Sequence, residues 1–308
     1  MTGRALVLGA GGFVGRHLCA RLRADGWDVV GTVRPGPSGS VPVDSVPVNS
    51  VPVDTVPVDL ADPSALAGAV AAADPDVAFH LAAGRARSTT AERLATAAVN
   101  TASGLHLVEA LGDRCRAVVR LGSSTEYAAI DGPMDEASPL APRGYFGATK
   151  AAGSLLLVAA AQERGLRSAV LRAFQVYGAG DHAGRLVPTV LRAARDGTVL
   201  PLTAPGSRRD WVHVDDVVDA CVRAAAADRL PGGTVLNVGT GRQTANEELV
   251  AVAERATGRR IRTDVGAHAG RSWDTGSWVS DPSRARSLLG WEPVVGLEDG
   301  LRRCWQAL

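Results

Sequence analysis

Lysine is almost missing from this chain. Of its 33 basic residues only Lys150 is a lysine, and the other 32 are arginines. A bias this strong fills every position that needs nothing more than a positive charge, and leaves lysine where a compact ammonium with a tunable pKa is needed. Lys150 is therefore a candidate active-site or cofactor residue. An excess charge of one sign is also missing: the formal net charge is +1, so nothing argues for a nucleic-acid or membrane surface. No apolar run approaches the length of a membrane span, and the run at Ala5–Leu8 is too short for a signal peptide. Cys19, Cys115, Cys221 and Cys304 stand alone, without the paired spacing of a metal knot. They read as buried thiols of a reducing cytoplasm, and no metal is expected.

What is present suffices for a substantial core: 308 residues, 46% of them hydrophobic. Apolar strand candidates at Ala5–Leu8, Asp28–Val33, Val77–His80, Ala117–Leu121 and Ser168–Leu171 are separated by helical stretches such as 91–111 and 147–164. That alternation predicts an α/β fold, a doubly wound parallel (Rossmann) sheet covered on both faces. Residues 1–172 are expected to form it, and 173–308 a smaller C-terminal substrate-binding lobe, with elements near 211–227 and 234–238 returning to the first domain. Residues 40–59 read SVPVD-SVPVN-SVPVD-TVPVD. A proline every fifth residue fits no central strand, so 40–54 are expected to be a dispensable loop insertion and Pro57–Leu60 the true strand.

Gly9, Gly12 and Gly15 give G-x-x-G-x-x-G directly after the first strand, with Phe13 and Val14 opening a helix. Such glycines permit the tight turn and let the backbone approach a pyrophosphate resting on the helix N-terminus. An NAD site usually carries an acid at the end of the second strand; here Gly31-Thr32-Val33-Arg34 offers none. Arg34 suits a 2′-phosphate, so NADP(H) is expected over NAD(H).

The run Gly144-Tyr145-Phe146-Gly147-Ala148-Thr149-Lys150-Ala151-Ala152 resembles the Y-x-x-x-K signature of the extended short-chain dehydrogenase/reductase superfamily, the sugar-nucleotide epimerase/dehydratase branch. Phe146 stands where that family has tyrosine. Tyr145 lies one residue early, rotated about 100° around the helix, so its hydroxyl is expected to point elsewhere. The resemblance runs through nearly the whole chain. His80-Leu81-Ala82-Ala83 matches the family turn beneath the cofactor, which makes His80 structural, and Asp59 and Leu60 would edge the adenine. Gly122-Ser123-Ser124-Thr125-Glu126-Tyr127 places Ser124 at the hydroxyl that binds the reacting oxygen, and Glu126 at a position used either as a base or as a turn cap. Leu171-Arg172-Ala173-Phe174-Gln175-Val176-Tyr177-Gly178 puts Gln175 where an asparagine normally reaches the substrate. In Arg209-Asp210-Trp211-Val212-His213-Val214-Asp215-Asp216 the acidic pair is expected to cap and orient a helix. Arg209 and Arg271 are expected on the substrate diphosphate, with Val187 among the substrate contacts.

The resemblance implies an enzyme that acts on a nucleoside-diphosphate sugar, most like a reductase of a 4-keto-6-deoxyhexose. A C4-epimerase comes next and a 4,6-dehydratase third, since Thr125-Glu126 replaces that group's Asp-Glu. A non-catalytic binding protein is the rival from another class. Phe146 is either a targeted replacement of the proton-donating tyrosine or a natural divergence, and the consistency of everything around it favours replacement. The helix from Phe146 to Gln162 is apolar almost all round and needs a second covering surface besides the sheet; the resemblance implies that a homodimer supplies it, with helix 91–111 completing the interface.

Overall fold

The computed structural model describes residues 3–36, 54–84, 89–269 and 276–308. The first two copies of the repeat, all of the third but Asp54, and Arg271 lie outside them, and with them most of the expected insertion. The chain divides into two compact units. The first comprises Met1–Glu126, Leu140–Arg172 and Val218–Leu236; the second comprises Tyr127–Pro139, Ala173–Val217 and Asn237–Leu308.

The main sheet has seven strands: β1 (Arg4–Leu8), β2 (Asp28–Val33), β3 (Asp54–Pro57), β4 (Val77–His80), β5 (Ala117–Ser123), β6 (Arg167–Ala173) and β7 (Thr234–Val238). Their order is β7-β6-β5-β4-β1-β2-β3. The pairs β1–β2, β1–β4, β2–β3 and β4–β5 are parallel. Strands covered on both faces have no polar side to present, so β1 and β4 are apolar and buried almost throughout. The core of this unit joins Leu6, Leu8, Leu66, Leu107, Val118, Leu157 and Val170.

Two expectations need correction. The strand placed at Pro57–Leu60 begins three residues earlier, pairing Val30 with Asp54 and Val33 with Pro57. A proline is tolerated there because β3 is the sheet edge and Pro57 its last residue. The single helix expected over 91–111 is instead α3 (Thr90–Ala97) and α4 (Ser103–Ala110), joined by a π-helical turn at Ala98–Ala102. That turn faces Asn100 inward. Two further helices matter below: α1 (Phe13–Ala24) and, with α2 at Pro63–Ala73 between, α5 (Tyr145–Glu163).

The second unit holds a three-stranded sheet of Gln175–Tyr177, Arg208–His213 and Gln243–Ala245. Its core packs Tyr177, Val190, Leu191, Trp211, Leu249 and Leu301. Asp210 ties it together by accepting bonds from the backbone of Thr240, Gly241 and Ser280. Asp216 does more than begin a helix: its carboxylate accepts the backbone N–H of Val294 and of Val295.

Candidate active site

The nucleotide loop is built for close approach. Gly9 has φ of 87°, and a Cβ there would lie 2.8 Å from the Cα of Ala82. A Cβ on Gly15 would collide with the Gly9 carbonyl. Helix α1 starts at Phe13 from Gly12, with no side-chain cap and no acid in its first turn. Its leading N–H groups are thus left for an external anion. The strand order reverses between β1 and β4, and both the loop and the Leu81–Ala83 turn sit at the C-terminal ends of those strands, where α/β sheets bind ligands. These residues fit a dinucleotide. Arg34 is exposed just beyond β2, Asp59 is exposed after β3, and Leu60 is buried.

The polar machinery sits where β5 ends and α5 begins. Ser124 opens the 3₁₀ turn Ser124–Glu126 and is buried. Gly147 allows α5 to approach that turn, since a Cβ there would collide with the Thr125 carbonyl. Lys150 is 3% exposed, and its Nζ donates to the Leu121 carbonyl at 2.5 Å. Burial, then the nearby Arg120 guanidinium, push Lys150 down to about 7. Phe146 lies one turn before it on the same face. Tyr145 is 41% exposed.

Glu126 is wholly buried. Its Oε1 accepts the Ser123 N–H at 2.9 Å and the Ser154 hydroxyl at 3.1 Å, while Oε2 accepts Nε of Arg172 at 2.9 Å. Both oxygens are thereby engaged by the frame of the site, as a turn cap would be.

Three residues that the sequence reading passed over complete the arrangement. Asn100 accepts the Gly84 N–H through Oδ1 at 2.8 Å, and its Nδ2 donates to the Gly84 carbonyl and to Thr149 Oγ1. Arg120 is 0% exposed, and its Nη2 donates to the Asn100 carbonyl at 2.5 Å. Its Nη1 lies 3.3 Å from Nδ1 of His80, which must therefore present a lone pair. His80 Nε2 then donates to Ser103 Oγ at 2.7 Å, and Ser103 donates on to the Val99 carbonyl. Burial and the flanking Arg120 and Lys150 hold His80 well below its ordinary pKa, so the ring is neutral. No cluster of metal-binding side chains occurs among the described residues.

In the second unit, Gln175 begins its strand and pairs with Trp211, and the Arg209 side chain touches the Arg208 carbonyl. Val187 is 1% exposed and packs in the core.

Residues 5–239 match the NAD dependent epimerase/dehydratase family. The chain belongs to that family. Across nearly their whole lengths it is similar to a UDP-glucose 4-epimerase of Mycolicibacterium smegmatis, at 32% identity over 97% of this chain and 96% of the relative. It is 30% identical to a dTDP-6-deoxy-L-talose 4-dehydrogenase (NAD(P)(+)) of Kitasatospora kifunensis, over 99% and 95% of the two chains. Among solved structures it resembles MoeE5 in complex with UDP-glucose and NAD, with a TM-score of 0.84 and 31% identity over 99% of this chain and 98% of that one. Family members of these kinds act on sugar nucleotides with a nicotinamide dinucleotide, and the loop and switch-point geometry above is what such a cofactor requires.

Proposed function

We propose that this chain is a sugar-nucleotide oxidoreductase, most like a reductase of a nucleoside-diphosphate 4-keto-6-deoxyhexose, slowed by Phe146. The observation that carries this reading is the pairing of buried Ser124 and buried Lys150 where β5 meets α5, with a ring but no hydroxyl at 146. The Gly9–Gly15 loop would hold the pyrophosphate, Arg34 a 2′-phosphate, Asp59 and Leu60 the adenine edge, and Lys150 the nicotinamide ribose. When bound, the nicotinamide supplies or takes up hydride. The chain's own task is to hold the sugar oxygen on Ser124 and to move its proton. Arg209, Arg271 and Gln175 are the proposed substrate contacts. A planar guanidinium matches diphosphate oxygens bidentately.

C4 epimerisation is the second reading, favoured by the 32% identity to a UDP-glucose 4-epimerase over 97% of this chain. One experiment separates the two. The protein is incubated with UDP- and dTDP-hexoses and their 4-keto-6-deoxy derivatives, with limiting and then excess reduced cofactor. A reductase consumes cofactor in proportion to product. An epimerase inverts the sugar with no net consumption. Loss of water from a hexose to its 4-keto-6-deoxy product marks a 4,6-dehydratase, and no conversion at all leaves the non-catalytic binding protein.

A further inference from the structure

We propose that Lys150 is itself the proton-transferring group of this site, in place of the hydroxyl that Phe146 lacks, and that Arg120 is the positioning residue that fits it for that task. The inference rests on the sugar-nucleotide oxidoreductase reading above and assigns its proton.

The argument begins with a buried arginine. Arg120 is fully enclosed, in a strand whose neighbours Val118 and Val119 are core residues. Its guanidinium is held by the Asn100 carbonyl on one side and the lone pair of His80 on the other. Room for it is made by two glycines: a Cβ on Gly153 would collide with Nη2, and one on Gly104 would lie 3.1 Å from Nη1. Among the described residues no ion pair reaches it, and its Nε has no hydrogen-bond partner. This is a built seat for a positive charge with no counter-charge in contact.

Charge counting does the rest. From β5 comes Arg120, from β6 Arg172, from α5 Lys150, from β4 the neutral His80, and from the turn after β5 the carboxylate Glu126. Glu126 already forms its ion pair with Arg172, both being almost wholly buried. That leaves Arg120 and Lys150 as two enclosed cations with no anion in contact, sharing only the through-space attraction of Glu126. An arginine does not discharge in a protein; a lysine does. Lys150 is thus the group that yields its proton, consistent with its fall to about 7. In the family's usual arrangement the lysine must stay charged to activate a phenol. With phenylalanine at 146 there is no phenol to activate, and an amine that titrates near neutrality is well matched to acid–base work.

The step balances. In the oxidising direction the O–H bond of the sugar carbinol breaks and its proton forms an N–H bond with the Nζ lone pair. The O–H electron pair becomes the second bond of the carbonyl as hydride leaves carbon for the family's nicotinamide cofactor. Reduction runs the same path backwards, with the ammonium as the acid. Nζ is held by the Leu121 carbonyl of β5, and Ser124, the proposed substrate-binding hydroxyl, follows directly on the last residue of that strand.

Because the chain has a single lysine, the test is direct. Full-length protein labelled with ¹³Cε-lysine gives one lysine resonance, which is titrated with and without oxidised dinucleotide. A midpoint near neutral pH, raised by about a unit or more in Arg120→Met by removal of the neighbouring charge, supports the proposal. A resonance that stays in its charged position up to the ordinary lysine range overturns it, and the unsubstituted protein alone suffices for that result. The second arm is the pH profile of turnover. A limb at the same midpoint, lost together with at least about a hundredfold in kcat in Lys150→Met, supports the step. Turnover that is flat through the lysine midpoint overturns the step while leaving the sugar-nucleotide reading intact. Absence of turnover with every sugar nucleotide overturns that reading, and the step falls with it.

Discussion

The Tyr145 hydroxyl donates to the carbonyl of Arg93 at 2.6 Å, across from the first turn of α5 to α3. It is spent on tying two helices together. The tyrosine nearest to the signature position therefore cannot stand in for the missing one, and its ring lies 41% exposed.

It follows that Phe146→Tyr raises sugar-nucleotide turnover, by less than the roughly hundred- to ten-thousandfold that a positioned general acid usually contributes, because Lys150 already moves the proton. Tyr145→Phe leaves turnover nearly unchanged. Steady-state kinetics on both variants, with cofactor affinity measured alongside, check this. Equal rates before and after restoring the hydroxyl at 146 would contradict it.

Glu126 and Arg172 form a buried pair at 2.9 Å with side-chain exposures of 0% and 5%. Removing one partner of such a pair costs about 3–5 kcal/mol because the other is left uncompensated. Glu126→Ala should thus lower Tm and the denaturation midpoint markedly, whereas a residue acting only as a catalytic base would leave them unchanged. Chemical denaturation of the two proteins decides between these roles.

Lys150 gives a stability effect with a definite sign. Between about 7 and the ordinary value of 10.5 the unfolded chain binds a proton that the folded chain does not. Stability contributed at this position therefore rises with pH across that window. Lys150→Met should stabilise the fold most at and below neutral pH, and the gain should shrink as pH approaches 10.5. Thermal melts of both proteins across that range test it; a difference that grows with pH would show that the lysine is charged in its seat.

Arg34 is exposed beyond β2, and no carboxylate stands in the Gly31–Arg34 stretch. Arg34→Ala should weaken NADP(H) more than NAD(H), by about tenfold if one charge-assisted hydrogen bond of roughly 1.5 kcal/mol is lost. Titration of both cofactors against both proteins reads this. An unsubstituted chain that prefers NAD(H), or a variant with unchanged selectivity, would remove the 2′-phosphate from the argument.

Helix α5 leaves Leu155 57% and Leu156 41% exposed, and α3 leaves Leu94 66% exposed. Apolar side chains bared along helices of one unit call for a partner surface, and a second copy of the chain is the expected one. Light scattering should give a dimer at micromolar concentration, and Leu155→Glu with Leu156→Glu a monomer.

Much of the frame was legible because parallel strands enclosed on both faces are written as apolar runs. The expected strands Asp28–Val33, Val77–His80 and Thr234–Val238 coincide with β2, β4 and β7. The edge strand was misplaced because its residues carry no burial signal: all four of β3 are exposed. The break at Asn100 was invisible to helical periodicity, since what turns that residue inward is its bonding to Gly84, sixteen residues away in sequence. Arg120 escaped for a different reason. In a chain so rich in arginine each one reads as surface charge, yet an arginine set within Ala117-Val118-Val119-Arg120-Leu121 was itself the sign of an enclosed cation.

The strand that meets β2 is cut from the end of a tandem repeat, with Asp54, Thr55, Val56 and Pro57 opposite Val30, Gly31, Thr32 and Val33. Each copy ends in Asp or Asn and begins with Ser or Thr followed by Val-Pro. If replication slips by a whole copy, a near-identical tetrapeptide arrives at the same edge. A change of a whole copy upstream should in this way leave the pairing of β2 with β3 as it is.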